Sequence, residues 1–378
     1  MQLREPTLSD GLVAPRGERP LRVLIVRIGA MGDVLHAMPA VAALRELHPD
    51  WRIGWAIEPV WRELLEAESE THEVAGFSGR DARRPLVDLW HRVPTRAWKL
   101  RPFSPSTLQD ISRLRRELRA EHYDVCVDMQ GAIRSAVVGR MVGANLFAGA
   151  AEPREHPAAW LYRQKIKLSA KHVVEQGCEL LGAAVGETLR PAKVMLPVDP
   201  AAERWCDELL AGIEERFVVI SPTAGWGAKQ WPAQRYGSVA MALAQAGFRT
   251  LVNAASPDDE LGIQVVEASD GAAVLVPCSI GQMIAMTRRA GLAIGGDTGP
   301  LHLAAALERP VVGLYGPTDP ARNGPYDTVS RVLRHASSRT DHSRHREAET
   351  GLMQITTEEV VEAALDLLGG EQSKQGTG

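Results

Sequence analysis

Arg22-Val-Leu-Ile-Val-Arg27 is a β-branched run that ends in Ile28-Gly-Ala-Met-Gly-Asp33 and opens an apolar-periodic stretch to Leu47. Strand, glycine-rich loop and helix follow one another within 26 residues. The unit recurs. Trp51-Arg-Ile-Gly-Trp-Ala-Ile57 reads as a second strand, and Tyr123-Asp-Val-Cys-Val-Asp128, ending in Met129-Gln-Gly131, as another. Phe217-Val-Val-Ile-Ser221 starts the pattern again, with 222–230 as its loop. Arg249-Thr-Leu-Val-Asn253, Ala273-Val-Leu-Val276, Gly291-Leu-Ala-Ile-Gly295 and Pro310-Val-Val-Gly-Leu-Tyr315 follow. Strands alternating with helical stretches imply parallel sheets covered by helices on both faces. Ligands of such sheets bind beyond the carboxyl ends of the strands. The series stops between 171 and 217, where Pro191, Pro197 and Pro200 interrupt helical sequence. The expected fold is therefore α/β, with two Rossmann-like domains and a cleft between them.

The boundary is expected near 189–200, giving an N-terminal domain over 21–195 and a C-terminal domain over 196–352. Residues 1–20 carry scattered charges and no apolar core, and are expected to be a flexible tail rather than a secretory signal. Thr356 and Glu359 form a capping-box pattern ahead of Val361, Ala364, Leu365 and Leu368. A helix is expected over 353–370, packing back toward the N-terminal domain, with a disordered tail over 371–378. The 378 residues suit two domains, and 45% hydrophobic content excludes a chain that is mainly disordered. No apolar run is long enough to span a bilayer. Cys126, Cys178, Cys206 and Cys278 have neither metal-ligand nor redox spacing and read as reduced thiols of a cytoplasmic protein. His335, His342 and His345 lack a flanking cysteine or carboxylate frame, so no metal site is expected.

The net charge of −4 hides an asymmetry: the window 80–122 holds eleven Lys/Arg against five Asp/Glu. Such a patch attracts anions, whether phosphate, an acidic sugar, a membrane surface or nucleic acid. Nucleic acid ranks low, because only Trp90 and Trp98 are interleaved as stacking platforms.

Three loops carry chemistry. In Gly295-Gly-Asp-Thr-Gly-Pro-Leu-His302 a strand ends and a helix begins near Pro300. The free N–H groups of Thr298 and Gly299 then favour an anion, by about 0.3–2 kcal/mol. Asp297 would repel a phosphate but can accept from sugar hydroxyls; equally, it can cap the helix. In Ser221-Pro-Thr-Ala-Gly-Trp-Gly-Ala-Lys-Gln-Trp231, Thr223 offers a hydroxyl and Lys229 a point charge suited to a diphosphate leaving group. No hydroxyl follows the lysine, so this is not the common phosphate loop. Gly29-Ala-Met-Gly-Asp-Val-Leu-His36 lacks the third glycine of a dinucleotide loop. It sets Asp33 at a helix start, where a carboxylate either caps the helix or takes a proton from an attacking hydroxyl. His36, one turn on, is a rival base or a packing residue.

Together these loops resemble the ADP-heptose:lipopolysaccharide heptosyltransferases, glycosyltransferase family 9, which have the GT-B fold. The resemblance runs from about Leu21 to Leu368. It includes Val23 to His36, Tyr123-Asp-Val-Cys-Val-Asp-Met-Gln-Gly131, Arg154-Glu-His-Pro-Ala-Ala-Trp-Leu-Tyr-Arg-Gln-Lys165, the Lys229 loop and Gly296 to Pro320. Met-Gly-Asp-Val-Leu-His looks most like the type I branch, which adds the first heptose to a Kdo sugar on lipid A. The resemblance implies an inverting, metal-independent transferase with no cofactor, using ADP-heptose as donor and Kdo-lipid A as acceptor. It implies a cytoplasmic protein resting peripherally on the inner membrane. Asp33 then matches the catalytic base. Thr223, Lys229, Thr298 and Gly299 match groups that hold the diphosphate, Asp297 the acid on the heptose hydroxyls, and His302 a further donor contact. Glu260, or else Asp258 or Asp259, falls at the ribose acid, and Cys278 at adenine. Arg80, Arg83, Arg84, Gln130, Arg134 and Arg154 are the implied acceptor contacts. A type II acceptor, another family 9 acceptor, and more remotely a sugar-nucleotide epimerase or a non-enzymatic sugar-nucleotide-binding regulator remain as alternatives.

Overall fold

A computed structural model describes residues 19–68, 80–213, 216–223, 225–341 and 347–375. The tail expected over 1–20 lies outside the described residues except for Arg19 and Pro20. The strands are β1 Arg22–Val26, β2 Arg52–Ile57, β3 Leu89–Arg92, β4 Val125–Asp128, β5 Leu146–Ala150 and β6 Gln164–Ile166, then β7 Phe217–Ser221, β8 Arg249–Ala254, β9 Ala273–Pro277, β10 Leu292–Gly296, β11 Val311–Leu314 and β12 Ser330–Leu333. The helices are α1 Met31–Leu47, α2 Thr95–Leu100, α3 Pro105–Ala120, α4 Ile133–Val142, α5 Val173–Val185, α6 Pro200–Leu210, α7 Ala233–Gln245, α8 Glu260–Ala268, α9 Ile280–Arg289, α10 Gly299–Ala306, α11 Pro320–Asn323 and α12 Thr357–Gln375.

Val23, Leu24, Ile25 and Val26 have no exposed surface, as a strand covered on both faces requires. The first sheet runs β3-β2-β1-β4-β5-β6 and the second β12-β11-β10-β7-β8-β9. Every pairing is parallel, and each order reverses direction beside its first strand, which opens a crevice there. In the first lobe α1 and α5 cover one face, and α3 and α4 the other. In the second, α7 and α12 cover one face, and α6 and α9 the other. The chain crosses between lobes over 186–199, from the end of α5 to the start of α6.

The lobes touch. Met283, Ile284 and Leu303 of the second lobe complete the apolar core beneath α1. Glu63 Oε2 of the first lobe accepts from Gly281 N at 2.7 Å and Ser279 Oγ at 2.9 Å, neutralising the start of α9. His172, the N-cap of α5, reaches Gly324 O at 3.1 Å.

The capping box forms as read: Thr356 N donates to Glu359 Oε2 at 2.7 Å, and Glu359 N to Thr356 Oγ1 at 3.2 Å. The destination of this helix differs from expectation. Val360, Ala364, Leu367 and Leu368 join Trp231, Tyr236 and Val239 in the core of the second sheet, so α12 stays with the C-terminal lobe. It continues through Gln375 into the stretch expected to be disordered, and 376–378 lie outside the described residues. Leu368→Ala should therefore cost the C-terminal lobe about 2–5 kcal/mol. Urea unfolding followed by hydrogen exchange should show the loss in strands β7 and β10 rather than in β1 and β4.

Candidate active site

Two helix starts meet across the cleft. The first turn of α1 (Met31, Gly32, Asp33) follows β1, and the first turn of α10 (Gly299) follows β10. A Cβ on Gly32 would lie 2.9 Å from His302 Cδ2, and one on Gly299 would lie 2.7 Å from Met31 Cβ. Both positions suit glycine because a side chain of the facing helix already fills the space that a Cβ would take. The carboxylate loop of one lobe and the anion-favouring helix start of the other, separate in sequence, are one place in the fold.

Asp33 is the third residue of α1, partly exposed, with both oxygens engaged. Oδ2 accepts from Ala30 N at 3.1 Å, so it caps its own helix. Oδ1 pairs with Arg27 Nη2 at 2.9 Å. Arg27 also donates from Nε to the Asp33 carbonyl at 3.1 Å, and from Nη1 to the Met129 carbonyl. The sequence reading passed over Arg27. Its signal was a cation closing an otherwise apolar strand. Gln130 is buried, and its Oε1 accepts from Ile28 N at 2.8 Å and more weakly from Gly29 N at 3.4 Å. It therefore braces the base of the Asp33 loop. Its own turn is held by Asp128, which accepts from Gln130 N, Gly131 N, Ser135 Oγ and Tyr162 Oη.

Asp297 is buried and not the helix cap; Thr298 occupies the N-cap position. The carboxylate is instead shared by two cationic or polar partners. Lys229 Nζ lies 2.5 Å from Oδ2 and donates to the Asp297 carbonyl at 3.1 Å. His302 Nε2 donates to Oδ1 at 2.8 Å. Burial opposes the charge, yet His302 and then Lys229 hold the Asp297 carboxyl well below the usual carboxylate range. Lys229 also sits 4.7 Å above the Trp226 ring. The other ring nitrogen of His302, Nδ1, lies 3.1 Å from His36 Nε2. A chain Asp297–His302–His36 thus crosses between the lobes.

The remaining residues expected to hold the donor ring the ends of β7 to β9. Thr223 Oγ1 donates to Asp259, 3.2 Å from Oδ1, and Asp259 caps α8 through Gly262 N. Glu260 is exposed in the first turn of α8. Cys278 follows β9, half-buried, and burial pushes its thiol up to about 12, so it serves as packing surface rather than as a nucleophile. Arg134 and Arg154, expected at the acceptor, are exposed and have no side-chain partner among the described residues.

The arginines 80–84 need correction. Arg80 binds the Pro49 carbonyl and lies 3.6 Å from Asp88 Oδ1; Asp88 accepts from Ile53 N, at the beginning of β2. That is the amino edge of the sheet, a strand length (roughly 16 Å) from Asp33. Arg83 donates to the Glu68 carbonyl at 2.7 Å, and Arg84 pairs with Glu66 at 3.2 Å. These cations organise their own segment. Within the basic window, Arg96 is brought to the Asp33 side, 5.4 Å above the Trp61 ring, which packs on Gly29. Buried Glu58 fastens this loop, accepting from Thr95 Oγ1 at 2.7 Å while its own N–H binds the Ile28 carbonyl at 3.0 Å. His342 and His345 lie outside the described residues, among which no group of three or more His, Cys, Asp or Glu is arranged to hold a metal.

Two Rossmann-like lobes facing across such a cleft are the GT-B arrangement of glycosyltransferases. The chain superposes on the structure described as E. coli heptosyltransferase WaaC with ADP, with a TM-score of 0.73 and 24% identity, covering 92% of this chain and 100% of that one. Residues 111–353 match glycosyltransferase family 9 (heptosyltransferase), and the chain belongs to that family. Lipopolysaccharide heptosyltransferase 1 of Escherichia coli K12 is 28% identical over 319 residues, covering 83% of this chain and 93% of the relative. Its namesake from Salmonella typhimurium is 27% identical over 310 residues, covering 81% and 92%.

The histidine pair carries a pH signature. Burial, then the neighbouring His302, lowers the His36 pKa well below the ordinary value. The unfolded chain therefore binds more protons than the native one as pH drops below about 6.5, and stability falls with it. His172, and His91 at about 4, both lowered by burial, act in the same direction. His36→Gln should lose less stability than the wild type between about pH 7 and about pH 5, measured by urea midpoints at each pH. Parallel curves would remove His36 from the acid-sensitive set.

Proposed function

We propose that this glycosyltransferase moves L-glycero-D-manno-heptose from ADP-heptose to Kdo of the lipopolysaccharide inner core with inversion, the type I heptosyl transfer. The observation that supports it best is that the start of α1, which carries Asp33, packs on the start of α10, beside which Lys229 pairs with Asp297. The similar proteins named lipopolysaccharide heptosyltransferase 1, and the similar structure titled with ADP, favour this donor and this branch.

In this reading the Kdo hydroxyl gives its proton to Asp33, and its oxygen attacks the anomeric carbon. The bond from that carbon to the diphosphate oxygen breaks on the opposite face, and ADP departs with the electron pair. One displacement with one base accounts for inversion and requires no covalent sugar–enzyme intermediate. The leaving charge is received by Lys229, the Thr223 hydroxyl and the free N–H groups at the start of α10, a preorganised electrostatic term. This supply of positive charge needs no metal ion. To receive the diphosphate, Lys229 must share itself between phosphate and Asp297, which frees an Asp297 oxygen for heptose hydroxyls. Glu260 and Cys278 lie along β8 and β9, where ribose and adenine would extend. The lipid-linked acceptor would bring the enzyme to the cytoplasmic surface of the inner membrane. Among the described residues no helix is long and apolar enough to cross that membrane.

Asp33→Asn keeps a capping oxygen but removes the base, so kcat should fall by about 10²–10⁴ with ADP affinity nearly unchanged. Radiolabelled transfer from ADP-heptose to Kdo-lipid A, run beside heptosyl-Kdo-lipid A, tests base and acceptor together. Turnover retained in Asp33→Asn would remove the assigned base. Preference for the heptosylated acceptor would replace type I by type II.

A further inference from the structure

Large apolar side chains are left in solvent at one end of the first lobe. Leu100 is 82% exposed, Phe103 90% and Trp160 81%, and Leu108 and Ile133 are also exposed. Leu100 ends α2, Phe103 lies in the turn to α3, Leu108 is in the first turn of α3, and Ile133 opens α4. Trp160 closes the short turn after β5. These elements form one surface: α3 packs on α4 and α4 on the Trp160 turn, over a shared core of Leu114, Leu118, Ala136, Val138, Ala158 and Ala159. All five positions stand at the carboxyl-edge end of the sheet, the side on which Asp33 lies.

Cations outnumber carboxylates there, the exposed acids being Glu152 and Glu155, the latter bound to Ile133 N at 2.8 Å. Residues 95–107 carry Arg96, Lys99 and Arg101 and no carboxylate. The exposed Arg134 lies in the first turn of α4 and the exposed Arg154 in the loop after β5. Apolar tips set among cations match the boundary between lipid headgroups and acyl chains, where tryptophan is also at home. Each cation near an anionic leaflet adds about 1 kcal/mol. A second copy of the chain fits poorly, because a two-fold interface would set this cationic patch against itself.

We propose that this end of the N-terminal lobe docks on an anionic bilayer, with Leu100, Phe103 and Trp160 entering the headgroup boundary. The proposal rests on the lipid-linked acceptor assigned above and names the surface that reaches it. Docking this way turns the Asp33 side of the cleft toward the bilayer, so the acceptor sugar is met while its lipid stays embedded.

The test compares wild type, Leu100→Ser/Phe103→Ser and Lys99→Gln/Arg101→Gln by co-sedimentation with phosphatidylethanolamine vesicles containing phosphatidylglycerol, and with phosphatidylcholine vesicles. Wild type should bind the anionic vesicles. Each lost apolar side chain should weaken binding on the order of tenfold, and the charge variant should lose its preference for anionic lipid. Turnover on a deacylated, water-soluble acceptor should be unchanged in both variants, while turnover on vesicle-borne acceptor falls. Vesicle binding equal to wild type in the apolar variant would overturn the proposal. So would a wild-type dimer that the apolar variant makes monomeric, with no vesicle binding by either. Vesicle binding that depends on these residues, with no turnover on either acceptor, would uphold the surface and defeat the transferase assignment.

Discussion

The close approach of two helix starts governs this molecule. Gly32 and Gly299 have no room for a Cβ, and their absence of side chains lets α1 of one lobe and α10 of the other converge. Everything chemical follows from that convergence. Asp33 is aimed by Arg27 from one side, Asp297 is held by Lys229 and His302 from the other, and His36 joins the two. A methyl group at either glycine would widen the gap by displacing a helix, and every one of these distances would change with it.

Charge is balanced within the site before any substrate enters. A buried carboxylate needs partners to remain ionised, and Asp297 has two. Lys229 is likewise kept from being an isolated buried cation. The cost of burying each is offset by the other. Asp33 is different in kind. It lies at the mouth rather than in the interior, and its ion pair with Arg27 fixes direction while leaving the carboxylate reachable.

Those parts of the fold governed by burial could be read from the sequence. β1, β7, β8 and β10 are short apolar runs that end in loops, and the structure has them within a residue or so of the reading. β3, β6 and β12 escaped because edge strands carry polar residues and have little pattern; β12, Ser-Arg-Val-Leu, is half solvent-facing. β5, Leu-Phe-Ala-Gly-Ala, was also missed, although it is largely buried. The loop residues Asp33, Lys229, Asp297 and Thr298 were visible through their place after a strand. Residues acting through tertiary pairing were not: Arg27 looked like a strand terminus, and Gln130's bond to Ile28 spans 102 positions. The arginines 80–84 misled for the opposite reason, since charge density announces an anion site whether or not its partners are internal. The direction in which α12 packs is equally invisible locally, because a capping box and an apolar face do not say which core will receive them.

That destination has a wider meaning. With α12 closing the core of the second lobe, the backbone passes between lobes once among the described residues, over 186–199. No second covalent brace fixes the angle between the halves. The width of the opening is left to the Glu63 cap on α9, the His172 contact to Gly324, the histidine pair and an apolar seam. Evolution can then alter the reach of the cleft, and with it the size of sugar admitted, by single substitutions at that seam without disturbing either lobe.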